Sequence, residues 1–179
     1  SDTLTGTSGR DVICGRGGND TIRAGGGNDV IDGGGGRDTL IAGGGRDIIL
    51  GGSGADIVRG GPGVDTASYA DHVLPVTVDH DGMADDGLEA GEGDLVALDI
   101  ENLTGGMAGD QLTGDSGPNF LSGGPGGDSL LSAEADDVME KLEKKEMMQK
   151  LREAIERLPE QKRKVCLLKL QGDLSKQEI

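Results

Sequence analysis

An aspartate recurs at every ninth position from Asp11 to Asp65: Asp11, Asp20, Asp29, Asp38, Asp47, Asp56 and Asp65. Carboxylates at one fixed interval can do two kinds of work. Catalysis needs a nucleophile and an oriented base brought together around one reacting atom. No such constellation is visible, and His72 and His80 stand in an acidic stretch without one, so no enzyme activity is expected. The other work is holding cations, to which a ladder of oxygens is suited. Zinc would want His or Cys, and the only cysteines, Cys14 and Cys166, lie far apart.

The elements that position these carboxylates follow from the same interval. In rows of nine starting at Gly6, the fourth column is Gly in all seven rows: Gly9, Gly18, Gly27, Gly36, Gly45, Gly54 and Gly63. The sixth column is the aspartate. The eighth is Ile13, Ile22, Ile31, Leu40, Ile49, Val58 and Ala67. A flexible glycine linker would not keep an acid and an aliphatic in register. The period resumes in rows starting at Gly105, Gly114 and Gly123, with Asp110, Asn119 and Asp128 in column six and Leu112, Leu121 and Leu130 in column eight. Glu101 and Leu103 fall in the same two columns of a degenerate row.

Columns seven to nine suit a short strand whose middle side chain points inward. Columns one to six must reverse the chain, and Gly recurs there because it accepts positive φ. With half a turn per row, alternate rows stack as neighbouring strands about 4.8 Å apart. Their aspartates then stack too. Two carboxylates at that spacing repel by about 1 kcal/mol in water and about 3–4 kcal/mol at an effective dielectric of 20. A divalent cation between stacked turns would reverse the sign. Magnesium gives up its waters reluctantly, whereas calcium takes six to eight oxygens in irregular geometry, backbone carbonyls included.

At these columns the sequence resembles the RTX calcium-binding nonapeptide repeat, over residues 2–131 and most specifically over 6–68. The resemblance implies a mainly β fold, a parallel β-roll, with column-six carboxylates and turn carbonyls as calcium ligands. Carried over, the ligands are Asp11, Asp20, Asp29, Asp38, Asp47, Asp56 and Asp65, with the turn glycines Gly18, Gly27, Gly36, Gly45, Gly54 and Gly63, and then Asp110 and Asp128. Asn119 offers an oxygen without charge and should give a weaker site. Seven rows stacked in steps of two give five turn pairs, hence about five calcium sites in the first block. Folding and calcium binding should be one process. The resemblance also implies a secreted protein, although no signal peptide is visible.

Composition supports an ion-dependent fold. The 179 residues include 35 Gly, one Tyr, one Phe and no Trp, too little aromatic mass for an ordinary core. The net charge of −16 argues against nucleic acid or an anionic membrane as partner, and no apolar run approaches membrane-spanning length. Four segments are expected: a first repeat block over 1–68, an acidic insert over 69–104, a degenerate block over 105–131 and a helical segment over 132–179. The insert is expected to form irregular strands decorating the roll. Asp79, Asp81, Asp85 and Asp86 are expected in a solvated acidic loop, with a further cation there as the alternative. Tyr69 is expected to close the end of the first core stack.

The tail holds every Lys and only one Gly, Gly172. Val138, Leu142, Met148, Leu151, Ile155 and Leu158 recur at helical intervals. Residues 151–179 resemble region 4 of extracytoplasmic-function sigma factors, cut inside the first helix of its DNA-reading motif, so no specific nucleic-acid binding is expected. The main functional expectation is a calcium-binding repeat module. The alternatives are a transcription-initiation fragment and the export or folding module of a larger secreted enzyme or toxin.

Overall fold

The computed structural model describes residues 1–88 and 92–132. The described residues all lie within the first of the two units into which the chain divides, Ser1–Ala135. The expected helices of the tail and its sigma-like stretch lie outside the described residues.

Strands form wherever an aliphatic sits in column eight. In chain order they are β1 (Thr3–Thr5), β2 (Val12–Cys14), β3 (Thr21–Gly26), β4 (Val30–Gly35), β5 (Thr39–Gly44), β6 (Ile48–Ser53), β7 (Ile57–Arg59) and β8 (Thr66–Ser68). Then follow β9 (Val76–Asp79), β10 (Ala84–Leu88), β11 (Asp94–Val96), β12 (Asn102–Thr104), β13 (Gln111–Thr113), β14 (Phe120–Ser122) and β15 (Ser129–Leu131). The strands β3 to β6 run six residues, because the opening residues of the next row continue the ladder, as in Gly25↔Gly43 and Gly34↔Gly52.

Alternate rows do stack. One sheet has nine strands in the order β1-β3-β5-β7-β11-β10-β9-β13-β15, and the other six in the order β14-β12-β8-β6-β4-β2. Successive repeat strands are parallel and paired like to like: Ile22↔Leu40 and Leu40↔Val58 on one sheet, Ile31↔Ile49 on the other. The fold is therefore mainly β, a parallel-stranded solenoid consistent with a β-roll.

The core runs between the two sheets and is built from column eight. Ile22, Ile31, Leu40, Ile49, Val58, Ala67, Leu103 and Leu112 are all buried, joined by Ala24 and Ala42 from column one. Each buried Ile or Leu is worth roughly 1.5–3 kcal/mol. Ile13 and Leu121 pack against this core only partly buried. Leu130 departs from the pattern at 45% exposed, because β15 is the outermost strand of its sheet.

The insert is integral to the fold, not a decoration. Its strands β9, β10 and β11 fill the nine-stranded sheet between β7 and β13, with β10 antiparallel to both neighbours. Val76, Val78, Val96 and Ile100 are buried in the same core, which is why these segments are drawn in. On the other sheet the nine-residue frame passes straight through: β12 pairs with β8 as Asn102↔Thr66 and Leu103↔Ala67. Asp86 is correspondingly not in a solvated loop. It is buried on β10 and accepts the N–H groups of Asp79 and Val96, while Asp81 and Asp85 remain exposed.

Candidate metal centre

The turns that link the two sheets owe their shape to glycine in columns two and four. Gly34 has φ of 95° and Gly36 has φ of 130°, conformations that side chains rarely adopt. A Cβ on Gly36, Gly45, Gly54 or Gly63 would collide with the carbonyl of Gly18, Gly27, Gly36 or Gly45 respectively, two rows earlier. These turn glycines thus let the backbones of alternate rows stack closely. Arg16, in column two of the second row, is the single non-glycine at positive φ among the described residues, at 77°.

The column-six aspartates form two hydrogen-bonded ladders. From Asp20 to Asp65, each Oδ1 accepts the backbone N–H of the acid two rows earlier. On one side, Asp2 donates to Asp20, Asp20 to Asp38, Asp38 to Asp56 and Asp56 to Asp94, over 2.5 to 2.8 Å. On the other, Asp11 donates to Asp29, Asp29 to Asp47, Asp47 to Asp65 and Asp65 to Glu101, over 2.7 to 2.9 Å. Val76 donates to Asp110 and Asp110 to Asp128 in a shorter ladder, both over 3.0 Å. Glu101 was legible in column six of the degenerate row. Asp94 lies off the frame, and no periodic signal marks it.

The second oxygen of each carboxylate tells the turns apart. Oδ2 of Asp20, Asp29, Asp38, Asp47, Asp56 and Asp65 is buried with no hydrogen-bond partner. Asp11 differs, its Oδ2 accepting the N–H and hydroxyl of Thr7, and Asp110 differs likewise, accepting the N–H of Gly106. Asp128 lies at the half-buried end of its ladder. Asn119 turns its Nδ2 onto Asp115 and Gly117.

Six buried carboxylate oxygens without partners are costly unless a proton or a cation meets them. Burial pushes Asp38 and Asp47 above the usual carboxylate range and Asp56 and Asp65 to about 6. The N–H donors of the preceding rungs pull the other way, and repulsion from neighbouring rungs adds to the rise. Burial also takes Asp86 and Asp94 to about 7. Among the described residues no Lys or Arg side chain is paired with a ladder carboxylate.

The residues present fit calcium. No three His, Cys, Asp or Glu side chains among the described residues converge on one point, so a metal here must draw on backbone oxygens. Calcium accepts such a mixed oxygen shell and zinc does not.

His72 is held by carboxylates outside the ladders. His72 is buried, with Nδ1 3.0 Å from Asp71 and Nε2 3.1 Å from Glu92. Burial opposes its charge, but the hydrogen bonds to Asp71 and Glu92 outweigh it and raise its pKa. Tyr69 packs edge-on to His72 in the core and donates its hydroxyl to Asp94 Oδ2 over 3.0 Å.

The family model of the RTX calcium-binding nonapeptide repeat (4 copies) matches residues 1–31, 32–67 and 104–139, more than half of the chain. The unmatched stretch between the second and third segments holds β9 to β11, the strands that break the parallel order. No curated protein and no solved structure matches the chain. With its nine-residue frame, its stacked acidic turns and this match together, the chain belongs to the RTX calcium-binding nonapeptide repeat family.

Proposed function

We propose that residues 1–131 are a non-catalytic calcium-binding module whose folding and ion binding are one process. The observation that carries this is the set of six buried Oδ2 atoms without partners, on Asp20, Asp29, Asp38, Asp47, Asp56 and Asp65. Each is a carboxylate oxygen held inside the fold with no donor facing it. An unfolded chain would leave the same groups in water, so the roll gains from calcium what it lacks in apolar core. The carboxylates of these six aspartates and the turn carbonyls are the ligands in this reading.

RTX repeat proteins are typically secreted, and calcium-coupled folding suits a chain that meets calcium only after export. We therefore place the module in a secreted protein. His72 is engaged on both ring nitrogens by carboxylates, which supports a structural role for it.

A calcium titration followed by far-UV circular dichroism tests the coupling. β content should rise steeply with calcium and fall again on chelation. Equal β content in calcium and in chelator would refute it.

A further inference from the structure

We propose that the turn from Gly114 to Asn119 is closed by the Asn119 side-chain amide in the place where its sister turns take a cation, and that Asn119→Asp would turn it into a calcium site. The inference rests on the calcium reading of those sister turns.

The turns fall into two kinds, and column two decides between them. Where Oδ2 has no partner, the column-two residue is at positive φ: Arg16, Gly25, Gly34, Gly43, Gly52 and Gly61 precede Asp20, Asp29, Asp38, Asp47, Asp56 and Asp65. Where column two is Thr7 or Gly106, φ is not positive, and the N–H of that residue turns onto Oδ2 of Asp11 or Asp110, over 2.6 Å in each case. The first kind calls for an ion. The second satisfies its own carboxylate.

The turn at Gly114 meets the same need by a third route. Its column-two residue is Asp115, also not at positive φ. Three oxygens surround Asn119 Nδ2: the Gly117 carbonyl at 2.7 Å, Asp115 Oδ1 at 2.8 Å and the Asp115 carbonyl at 3.0 Å. An amide has two N–H bonds, so three acceptors more than fill it. The hydrogen bond from Asn119 holds Asp115 below the usual carboxylate range, so a full negative charge faces the amide. An oxygen in the position of Nδ2 would meet three others with nothing positive between them.

The far side of the amide shows which contact sets its orientation. Asn119 Oδ1 is buried with no partner, and so are both ring nitrogens of His80, which is 6% exposed. Burial holds His80 below its ordinary pKa, against the pull of Asp115. A rotated amide would offer Nδ2 to the His80 side. It would also put an oxygen among the three acceptors, and the structure keeps the nitrogen there instead.

Replacing Asn119 by Asp exchanges the donor for a second carboxylate. Two charged side chains and two backbone carbonyls then converge on one point, a donor set that suits calcium. The test is calcium stoichiometry of the full chain, by equilibrium dialysis with radioactive calcium, for wild type, N119D and D115N. N119D should bind one more ion than wild type, and D115N the same number as wild type. An unchanged number in N119D would overturn the proposal, as would failure of N119D to fold in saturating calcium. Loss of one ion in D115N would overturn it too, because the wild-type turn would then already hold an ion. A wild-type chain that binds no calcium would instead refute the module reading itself.

Discussion

Asp38→Ala separates the two roles of a rung. Asp38 Oδ1 accepts the Asp20 N–H, and the Asp38 N–H goes on to Asp56 Oδ1, both over 2.7 Å in buried surroundings. The substitution leaves the Asp20 N–H buried and without a partner, at about 1–3 kcal/mol. It also removes a charge standing between two like charges about 4.8 Å away. Each of those repulsions is worth up to about 3–4 kcal/mol at an effective dielectric of 20 when both groups are ionised. In chelator the two effects oppose each other, and the variant should be no less stable than wild type. In calcium the ions already neutralise the repulsion, so only the lost hydrogen bond and the lost ligand remain. The midpoint of calcium-induced β formation should therefore rise about tenfold or more, equivalent to about 1.4 kcal/mol. Asp115→Ala is the comparison. Asp115 is half-exposed and off the ladder, bonded to Gly117 and Asn119 within its own turn, and its midpoint should move by less than about threefold. Circular dichroism titrations of the two variants would decide. Equal midpoints would refute the assignment of ligands by column, and equal loss of stability in chelator and in calcium would refute the balance of terms within the rung.

Two further expectations concern protons and backbone. Asp56 and Asp65 sit at about 6 in the fold and Asp94 at about 7, against 3.8 ordinarily, so the folded chain holds protons that the unfolded chain releases. The stability this gives to the ion-free roll is complete below the unfolded value and is lost as pH climbs through 6 to 7. In chelator, β content should be higher at acid than at alkaline pH, whereas calcium affinity should weaken as pH falls through the same window; chelator β content that rises with pH would contradict the burial of these carboxylates. Arg16→Gly relieves a side chain held at φ 77° and should stabilise the protein by about 0.5–1 kcal/mol, read as a raised melting temperature in calcium. A lower melting temperature would mean that the Arg16 side chain contributes more than its backbone costs.

The repeat was legible because its two strongest requirements are written in side chains. An inward aliphatic in column eight and an acid in column six fixed the row length, the strand positions and the stacking of alternate rows, even at Leu103 and Glu101 in the degenerate row. What was not legible lives in the backbone. Nothing in residue type announces that Oδ1 of each aspartate is committed to an N–H two rows away, or that the peptide at column two chooses between an open and a satisfied Oδ2. The insert escaped for a different reason. Its strands bury Val76, Val78 and Val96, but at no nine-residue interval, and β10 runs antiparallel, so the periodic frame could not place them in the sheet. Asp86 and Asp94 followed the insert inward and so were mistaken for, or missed among, surface acids.

The ladders have a direction. Every rung passes its N–H to an acid later in the chain, and receives its own carboxylate's donor from an earlier one. The stack is therefore polar in the sense that a cytoskeletal filament is polar: one end offers acceptors and the other offers donors. At the donor end, the N–H groups of Asp56 and Asp65 are met by Asp94 and Glu101, which act as end-stops supplied from outside the regular block. A row's N–H has its partner only when the row two beyond it is in place, so the two ends of the stack need different caps. A piece cut between Ser68 and Asp94 would keep all seven rows and still leave the Asp56 and Asp65 N–H groups without these acceptors, whereas one that includes Glu101 would be terminated on both ladders.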